Sequence, residues 1–527
     1  MPPRQRHHRD ADLDTIIGRQ APVFQSFYVE EPKLLFGGSG YQVDPKTGLE
    51  QFGPFQARKP EIRIGVIGTA DGIDAFKAYL ERARQTINPG LNSRNKPYDP
   101  LLFPDFPGVS PEGAFRTTFV TDPSIQRSIP ETLFERAAGA GLAEFKVRQV
   151  IELVTKELGV LADCEPEPDV VAVVLPPIVE KQCAGVGRLP GAGKIPLTPV
   201  QRMKRNWEKK RAKTGQSFFE LDFNDTDNPS QRGFWNIHHA LKAHAMPTEL
   251  TTQLIWESKL RGRGLTQDPA SMAWNLFTAL FYKAGNIPWQ LQQVPQNTCF
   301  VGVCFYREGP FDGAGMQTSL AQVFSGVGEG LVLKGQPAVV DKARGDRKAH
   351  LTEDSARKLL EQAIALYEVH HQGQKPGRVV VHKTSRYWPE ELAGFKKGLG
   401  DIARYDFLAL EKLDIRFMRM GEHPPIRGTV VTLAPRRHAI FTVGYVPYLK
   451  DYPGYRVPVP LEIVEHYGDS PAEQVCRHIL ALTKVNWNSC AFACSDPITT
   501  QFARTVGRIL TEIPKGINPQ TKYRYYM

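Results

Sequence analysis

Two nearly continuous apolar runs, EIRIGVIGT (61–69) and DVVAVVLPP (169–177), constrain the fold more than any other feature of the chain. A strand wetted on one face alternates apolar and polar residues, whereas a strand apolar throughout is covered on both faces, as in a parallel sheet. The first run leads through a glycine-containing turn into 73–86, where Phe76, Leu80 and Ala83 recur at helical spacing. Strand, turn and helix in that order open a βαβ unit. Further helices are expected over 142–158, 235–245 and 271–284. Residues 88–130, rich in proline, read as irregular. The first sixty residues read as short strands and turns that lie against a larger body, apolar at 24–28 and 34–36 and ending in the turn-laden DPKTGLEQFGPF (44–55).

From Thr298 the character changes. CFVGVCFYRE (299–308) is a β-run, 319–335 a hairpin, 353–370 a helix, GRVVVHKTS (377–385) a buried strand and 389–399 a helix. This order fits a mixed α/β sheet of RNase H type, although many folds share it. Ser470-Pro471-Ala472-Glu473 reads as a capping box with proline at the first helical position. Asp496-Pro497 reads as the cap of a last helix whose Ile498, Phe502, Val506 and Ile509 form one apolar stripe.

Composition narrows the function classes. With 527 residues, 41% of them hydrophobic, the chain can build two to four domains of about 100–200 residues each. No apolar run approaches the roughly 18–20 residues of a membrane span. MPPRQRHHRDADLD lacks the apolar centre of a secretion signal. Seven scattered cysteines form no disulfide framework, so a reducing cytoplasm is expected. Lys+Arg 66 against Asp+Glu 56 gives a net +10, which favours a polyanionic partner. The stretch 181–213 carries ten Lys and Arg against one Glu. Lys204, Arg205, Lys209, Lys210 and Arg211 are its candidate backbone contacts, a solvated basic face being the alternative.

The sharpest cluster lies between Trp235 and Trp289. His238 and Lys242, four apart in an expected helix, share one face. Gln253 follows after a short loop, and Lys283 closes the next helix before AGNIPW (284–289). Two ammonium groups, an imidazole and an amide suit a small anion of charge near −2, such as a terminal phosphate, although unrelated surface lysines fit the same spacing. The order HHALK, TTQLI, LFYKAGNIPWQL closely resembles the MID-domain signature of Argonaute proteins. The resemblance implies that His238, Lys242, Gln253 and Lys283 hold the 5′-phosphate of a guide strand; at the first of these the family often has Tyr. It also implies a divalent cation, Mg²⁺, at that phosphate, held partly by the C-terminal carboxylate, here Met527 of the ending YRYYM.

FVGVCFYRE, VVVHKTSRYWPEE and ALTKVNWNS resemble three landmarks of the Argonaute PIWI domain, an RNase H-like fold, and DPKTGLEQFGPF resembles the linker before MID. The fold class implied is α/β: a Rossmann-like MID domain followed by an RNase H-like PIWI domain. The expected boundaries are a lead-in at 1–57, MID at 58–295 with a basic insertion at 180–232, and PIWI at 296–527. In cleaving members, acidic PIWI residues hold two divalent cations. The corresponding positions here are Cys304, Thr384 and Asn488, and 337–351, where a mobile glutamate is expected, contains no Glu. A thiol, a hydroxyl and an amide do not supply the charge that hard Mg²⁺ needs, so a binder without cleavage is expected. Cys304 reads as a small core residue, and Cys490 and Cys494 lack partners for zinc. His382 and Lys383, at a strand end, are candidate backbone contacts or satisfied structural residues.

Little more than fifty residues precede the MID-like region. The chain thus resembles a short prokaryotic Argonaute, MID plus PIWI and catalytically inactive. That resemblance implies a heterodimer with an APAZ-containing effector (a TIR or Sir2 NADase, or a nuclease), a guide RNA, and complementary single-stranded DNA of invaders such as plasmids. Two competing readings stay open. One is an active nuclease with other metal ligands, such as Asp341 or Asp346. The other is a small-molecule enzyme built on the 61–69 strand, for which Gly65, Gly68 and Gly72 lack the G-x-G-x-x-G spacing.

Overall fold

The computed structural model describes residues 24–184 and 236–527, apart from positions 58, 93–94, 140–142, 293, 296, 308–315, 325–329, 342–343, 345–347, 414, 419–420, 422, 455, 502 and 515. Lys204, Arg205, Lys209, Lys210 and Arg211 lie outside the described residues.

Near the start, β1 (Ser26–Tyr28) is followed by α1 (Pro45–Phe52). This helix corrects the reading of 44–55 as turns. Asp44 Oδ2 accepts from Thr47 N at 2.8 Å, Pro45 opens the first turn, and Gly53 closes the helix at φ 74°. An Asp-Pro start and a left-handed glycine stop are sufficient helix signals even over eight residues.

The first sheet contains β2 (Glu61–Gly68), β3 (Thr118–Val120), β4 (Gln126–Ser128), β5 (Val170–Leu175) and β6 (Thr252–Trp256). All of its pairings are parallel: β3 and β4 pair in turn with the first and last residues of β2 along one edge, β2 pairs with β5 along the other, and β5 pairs with the edge strand β6. Every residue of β5 is buried, as its unbroken apolar composition requires. The 88–130 region therefore supplies β3 and β4, whose three residues each are too few to show a period. On one face pack α3 (Ala143–Ala162) and α4 (Ile237–Ala245), in a cluster around Val150, Leu158 and Leu241. On the other pack α2 (Ala70–Arg82) and α5 (Pro269–Lys283), around Phe76, Trp274 and Phe277.

Among the described residues, the second sheet has nine strands. They are β1, β7 (Thr298–Arg307), β8 (Met316–Phe324), β9 (Gly330–Lys334), β10 (Arg378–Lys383), β11 (Tyr405–Lys412), β12 (Thr429–Ala434), β13 (Arg437–Ile440) and β14 (Leu461–Gly468). Their order is β1-β12-β13-β14-β11-β10-β7-β8-β9. β7, β10 and β11 run parallel, while β7-β8-β9 is an antiparallel meander. This is the mixed α/β order read from the sequence, extended by four strands from 405–468 and by β1 from the lead-in. Helices α6 (Glu353–His370) and α7 (Pro389–Gly398) cover one face. They approach so closely that a Cβ at Gly394 would lie 2.2 Å from Glu353 O.

Two cap assignments change. Before α8 (Ala472–Leu482), Ser470 makes no cap; its Oγ donates to Asp406 Oδ2 at 2.8 Å and accepts from Arg378 Nη2 at 2.8 Å. Asp406 is buried at the start of β11 with Arg378 and His466, and this tertiary demand outweighs the local motif. The last helix forms as Ile498–Gln501 followed by α9 (Ala503–Glu512), with Ile498, Val506 and Ile509 buried. Asp496 pairs instead with Lys412 at 3.4 Å. Among the described residues, no helix is long and apolar enough to cross a membrane.

Candidate functional site

The MID-like residues converge at the N-terminal end of the edge strand β6. Asn236 caps α4 by accepting from His238 N at 2.9 Å, which starts the helix where His238 and Lys242 stand one turn apart. Asp268 caps α5, accepting from Ser271 N at 2.8 Å, so that fifteen residues later Lys283 forms its last position. A lysine there complements the helix dipole. Successive residues of β6 point to opposite faces. Thr252 faces α4, where Lys242 Nζ donates to its carbonyl and lies 3.3 Å from its Oγ1. Gln253 faces α5, where Lys283 Nζ donates to its Oε1. Thr251 Oγ1 closes the arrangement by donating to Lys283 O at 3.0 Å. Two lysines from helices on opposite faces of the sheet thus meet over its edge, on successive residues of β6.

Their environment is unusual for cations. Lys242 is 7% and Lys283 2% exposed, and among the described residues neither has a carboxylate partner. Burial, then the neighbouring charge of Lys283, holds the Lys242 ammonium well below the usual lysine range. Burial pushes Lys283 down to about 7. Gln253 is half-buried and His238 exposed, so His238 forms the rim, with Trp256 edge-on at 5.9 Å between ring centroids. Desolvation first, and the two lysines second, lower its imidazole pKa. An anion entering here meets two desolvated amines, an amide and an imidazole, where electrostatic attraction is strong.

Met527 is buried in a cluster that includes Tyr282 and Tyr526. Its neighbours tie it to this region: Tyr525 Oη donates to Glu249 O at 2.9 Å and Gln520 Nε2 to Met246 O at 3.3 Å. Among the described residues, no ion pair joins its carboxylate to Lys242 or Lys283. The sequence pattern gave no sign of Thr251, Thr252 or Tyr525, because each acts through a backbone carbonyl or a hydroxyl.

The positions aligned with cleavage residues look different. Cys304 is 4% exposed on β7, beside a bulge, and one step beyond the Val303–Lys383 pairing that leads to Thr384. Thr384 is half-buried, and Asn488 is exposed with its N–H donating to Asn486 Oδ1 at 3.1 Å. Asp341 pairs with Arg344 at 3.4 Å, and Asp346 lies outside the described residues. Among the described residues, no group of three His, Cys, Asp or Glu side chains is placed to hold a metal ion. His382 and Lys383 are corrected as backbone contacts, since both are fully buried. His382 Nδ1 lies 2.8 Å from Thr499 Oγ1. Lys383 Nζ donates to Ser385 Oγ and Arg386 O, each at 2.8 Å, and pairs with Glu391 at 3.0 Å.

No family model matches the chain. A sequence relative is the Protein argonaute of Aquifex aeolicus (strain VF5), 25% identical over 292 residues, 54% of this chain and 37% of that protein. In fold, the chain is similar to Clostridium butyricum Argonaute bound to a guide DNA and a 19-mer target DNA, with TM-score 0.57 and 16% identity over 94% of this chain and 54% of that one. It is also similar to A. aeolicus Argonaute, with TM-score 0.51 and 16% identity over 95% of this chain and 55% of that one. The chain thus spans about half the length of these solved relatives. The chain is similar in sequence to an Argonaute over about half its own length and shares the α/β fold of solved Argonautes.

Proposed function

We propose that this chain is the guide-binding, non-cleaving component of a prokaryotic defence complex. It anchors the 5′-phosphate of a guide RNA on Lys242, Lys283, Gln253 and His238, and pairs the guide with single-stranded DNA of invaders such as plasmids. An APAZ-containing partner with a TIR, Sir2 or nuclease effector, bound as a heterodimer, responds to the paired state. Base pairing carries the sequence recognition, and backbone cations carry an affinity that falls steeply with salt.

One observation carries this reading: Lys242 and Lys283 are buried side by side with only neutral partners among the described residues. An anion of charge near −2 converts that desolvated pair from a cost into an attraction. The solved relatives support the nucleic-acid side, one holding guide and target DNA and another, Aa-Ago, an externally bound siRNA. Mg²⁺ fits the pocket only together with the phosphate, because ammonium and amide groups do not attract a hard dication. Met527 would offer its carboxylate, and the ion would neutralise phosphate charge. Absence of cleavage follows from Cys304, Thr384 and Asn488 at the expected metal-binding positions.

The test is to recover nucleic acid bound to the full chain and label its ends before and after phosphatase treatment. Short RNA with 5′-phosphates, together with an uncut matched DNA target in Mg²⁺ and Mn²⁺, is the expected result. Recovery of 5′-hydroxyl strands contradicts the pocket assignment, and target cleavage establishes the nuclease alternative.

A further inference from the structure

The segment 520–527 does more than end the chain beside the pocket. Thr521 O accepts from Val332 N at 2.6 Å and Lys522 bridges Leu331, so the segment extends the second sheet beyond β9. From there it reaches all three pieces of chain that carry the pocket. Gln520 Nε2 donates to Met246 O at 3.3 Å, one turn beyond Lys242. Tyr525 Oη donates to Glu249 O at 2.9 Å, in the turn that delivers Thr252 and Gln253. Arg524 packs on Gly285, two residues after Lys283, where a Cβ would lie 2.7 Å from its Nη1 and φ is +91°. Tyr526 Oη donates to Gln520 O at 2.6 Å and holds the segment in this shape.

The turn that Tyr525 grips needs holding. Glu249 has φ 57°, a left-handed conformation that a residue with a side chain adopts at a cost. If the turn relaxes, α4 and β6 lose their relative placement, and Lys242 no longer meets Lys283 over Gln253. We infer that Tyr525 is a positioning residue for the anion pocket. It acts through the Glu249 carbonyl and not on the ligand, and the sheet-paired segment 520–527 fixes the distance between the two lysines. The inference rests on the phosphate reading above.

The experiment compares full-length wild type, Tyr525→Phe and Gln520→Ala for binding the same oligonucleotide with a 5′-phosphate and with a 5′-hydroxyl. Loss of one hydrogen bond corresponds to about a two- to tenfold change. Tyr525→Phe, which keeps the ring, is expected to lower the phosphate-over-hydroxyl affinity ratio by about that factor while leaving the hydroxyl affinity unchanged. Gln520→Ala is expected to lower the ratio less. A merely structural tether would leave the ratio alone or weaken both oligonucleotides equally, and either result in both variants overturns the inference. If wild type itself shows no preference for phosphate, the proposed function fails and this inference fails with it.

Discussion

Among the described residues, four lysines are buried, in two contrasting ways. Lys383 and Lys484 are 0% and 1% exposed, and each meets a carboxylate: Glu391 at 3.0 Å and Glu31 at 2.8 Å. Lys242 and Lys283 are buried nearly as deeply, yet they meet a carbonyl, a side-chain amide and each other. The first two sites are electrostatically closed and act as staples. Glu31, for example, also binds Arg427 at 2.9 Å and so locks the lead-in to the second sheet. The second site is open, and folding alone gives no reason to bury two amines there with no carboxylate partner among the described residues. Residue type and burial are the same in both regions, so the missing counter-charge is the difference on which the proposed phosphate site rests.

The largest effect should come from opening a closed site. Glu31→Gln strands Arg427 and Lys484 without their anion and is expected to lower unfolding free energy by about 3–5 kcal/mol, measured by urea denaturation. Lys283→Met should do the reverse to stability, leaving it equal or higher, because it removes an uncompensated buried charge. A comparable loss in both variants would erase the distinction between the regions. For binding, Lys283→Met is expected to weaken a 5′-phosphorylated strand by about 1.5–3 kcal/mol, the scale of a charge-assisted hydrogen bond, as titration would read.

Proton linkage sharpens the comparison further. Burial brings Lys283 down to about 7, so from about pH 7 up to the ordinary lysine range the unfolded chain binds a proton that the folded chain lacks. Unfolding free energy of the ligand-free protein therefore rises with pH across that window. Lys484, pushed down to about 8 chiefly by burial, adds to the same slope, so the difference between wild type and Lys283→Met isolates the pocket. Phosphate binding runs the other way: affinity falls above pH 7 as the ammonium is lost, and falls below about pH 6 as the phosphate takes a proton. Glu512, raised to about 8 by burial and 4.0 Å from His239, is common to both proteins, whereas His238 at the rim and Lys242 beside it are themselves lowered by Lys283 and rise in the variant, so the difference reports the coupled pocket. The smallest effect is expected for Gln253→Ala, about 0.5–1.5 kcal/mol of phosphate affinity, since it removes one neutral partner.

Much of this was legible in the sequence because it is local. Unbroken apolar runs reveal β2 and β5, and the i,i+4 pair on α4 and the lysine ending α5 are visible locally. That spacing also fits unrelated surface lysines, so the resemblance of HHALK, TTQLI and LFYKAGNIPWQL is what singles out His238, Lys242, Gln253 and Lys283. The closed sites were not legible. Glu31 lies 453 residues from Lys484 and 396 from Arg427, and nothing in local spacing connects them. Ser470 shows the converse failure, a good local cap diverted by Asp406, a partner 64 residues away. Helix α1 was missed for a different reason: its eight residues include a glycine and a threonine, which masked the Asp-Pro start and Gly stop that define it.

The central claim is that Lys242 and Lys283 form one open cationic pocket for a strand's phosphorylated end. Its most direct test is the affinity of the full chain for one oligonucleotide carrying either a 5′-phosphate or a 5′-hydroxyl, in wild type and in the Lys242→Glu/Lys283→Glu double variant. The expected result is at least about a tenfold preference for phosphate in wild type, the scale of one charged hydrogen bond, and none in the double variant. Equal affinities in wild type, or a preference that survives both substitutions, would contradict it.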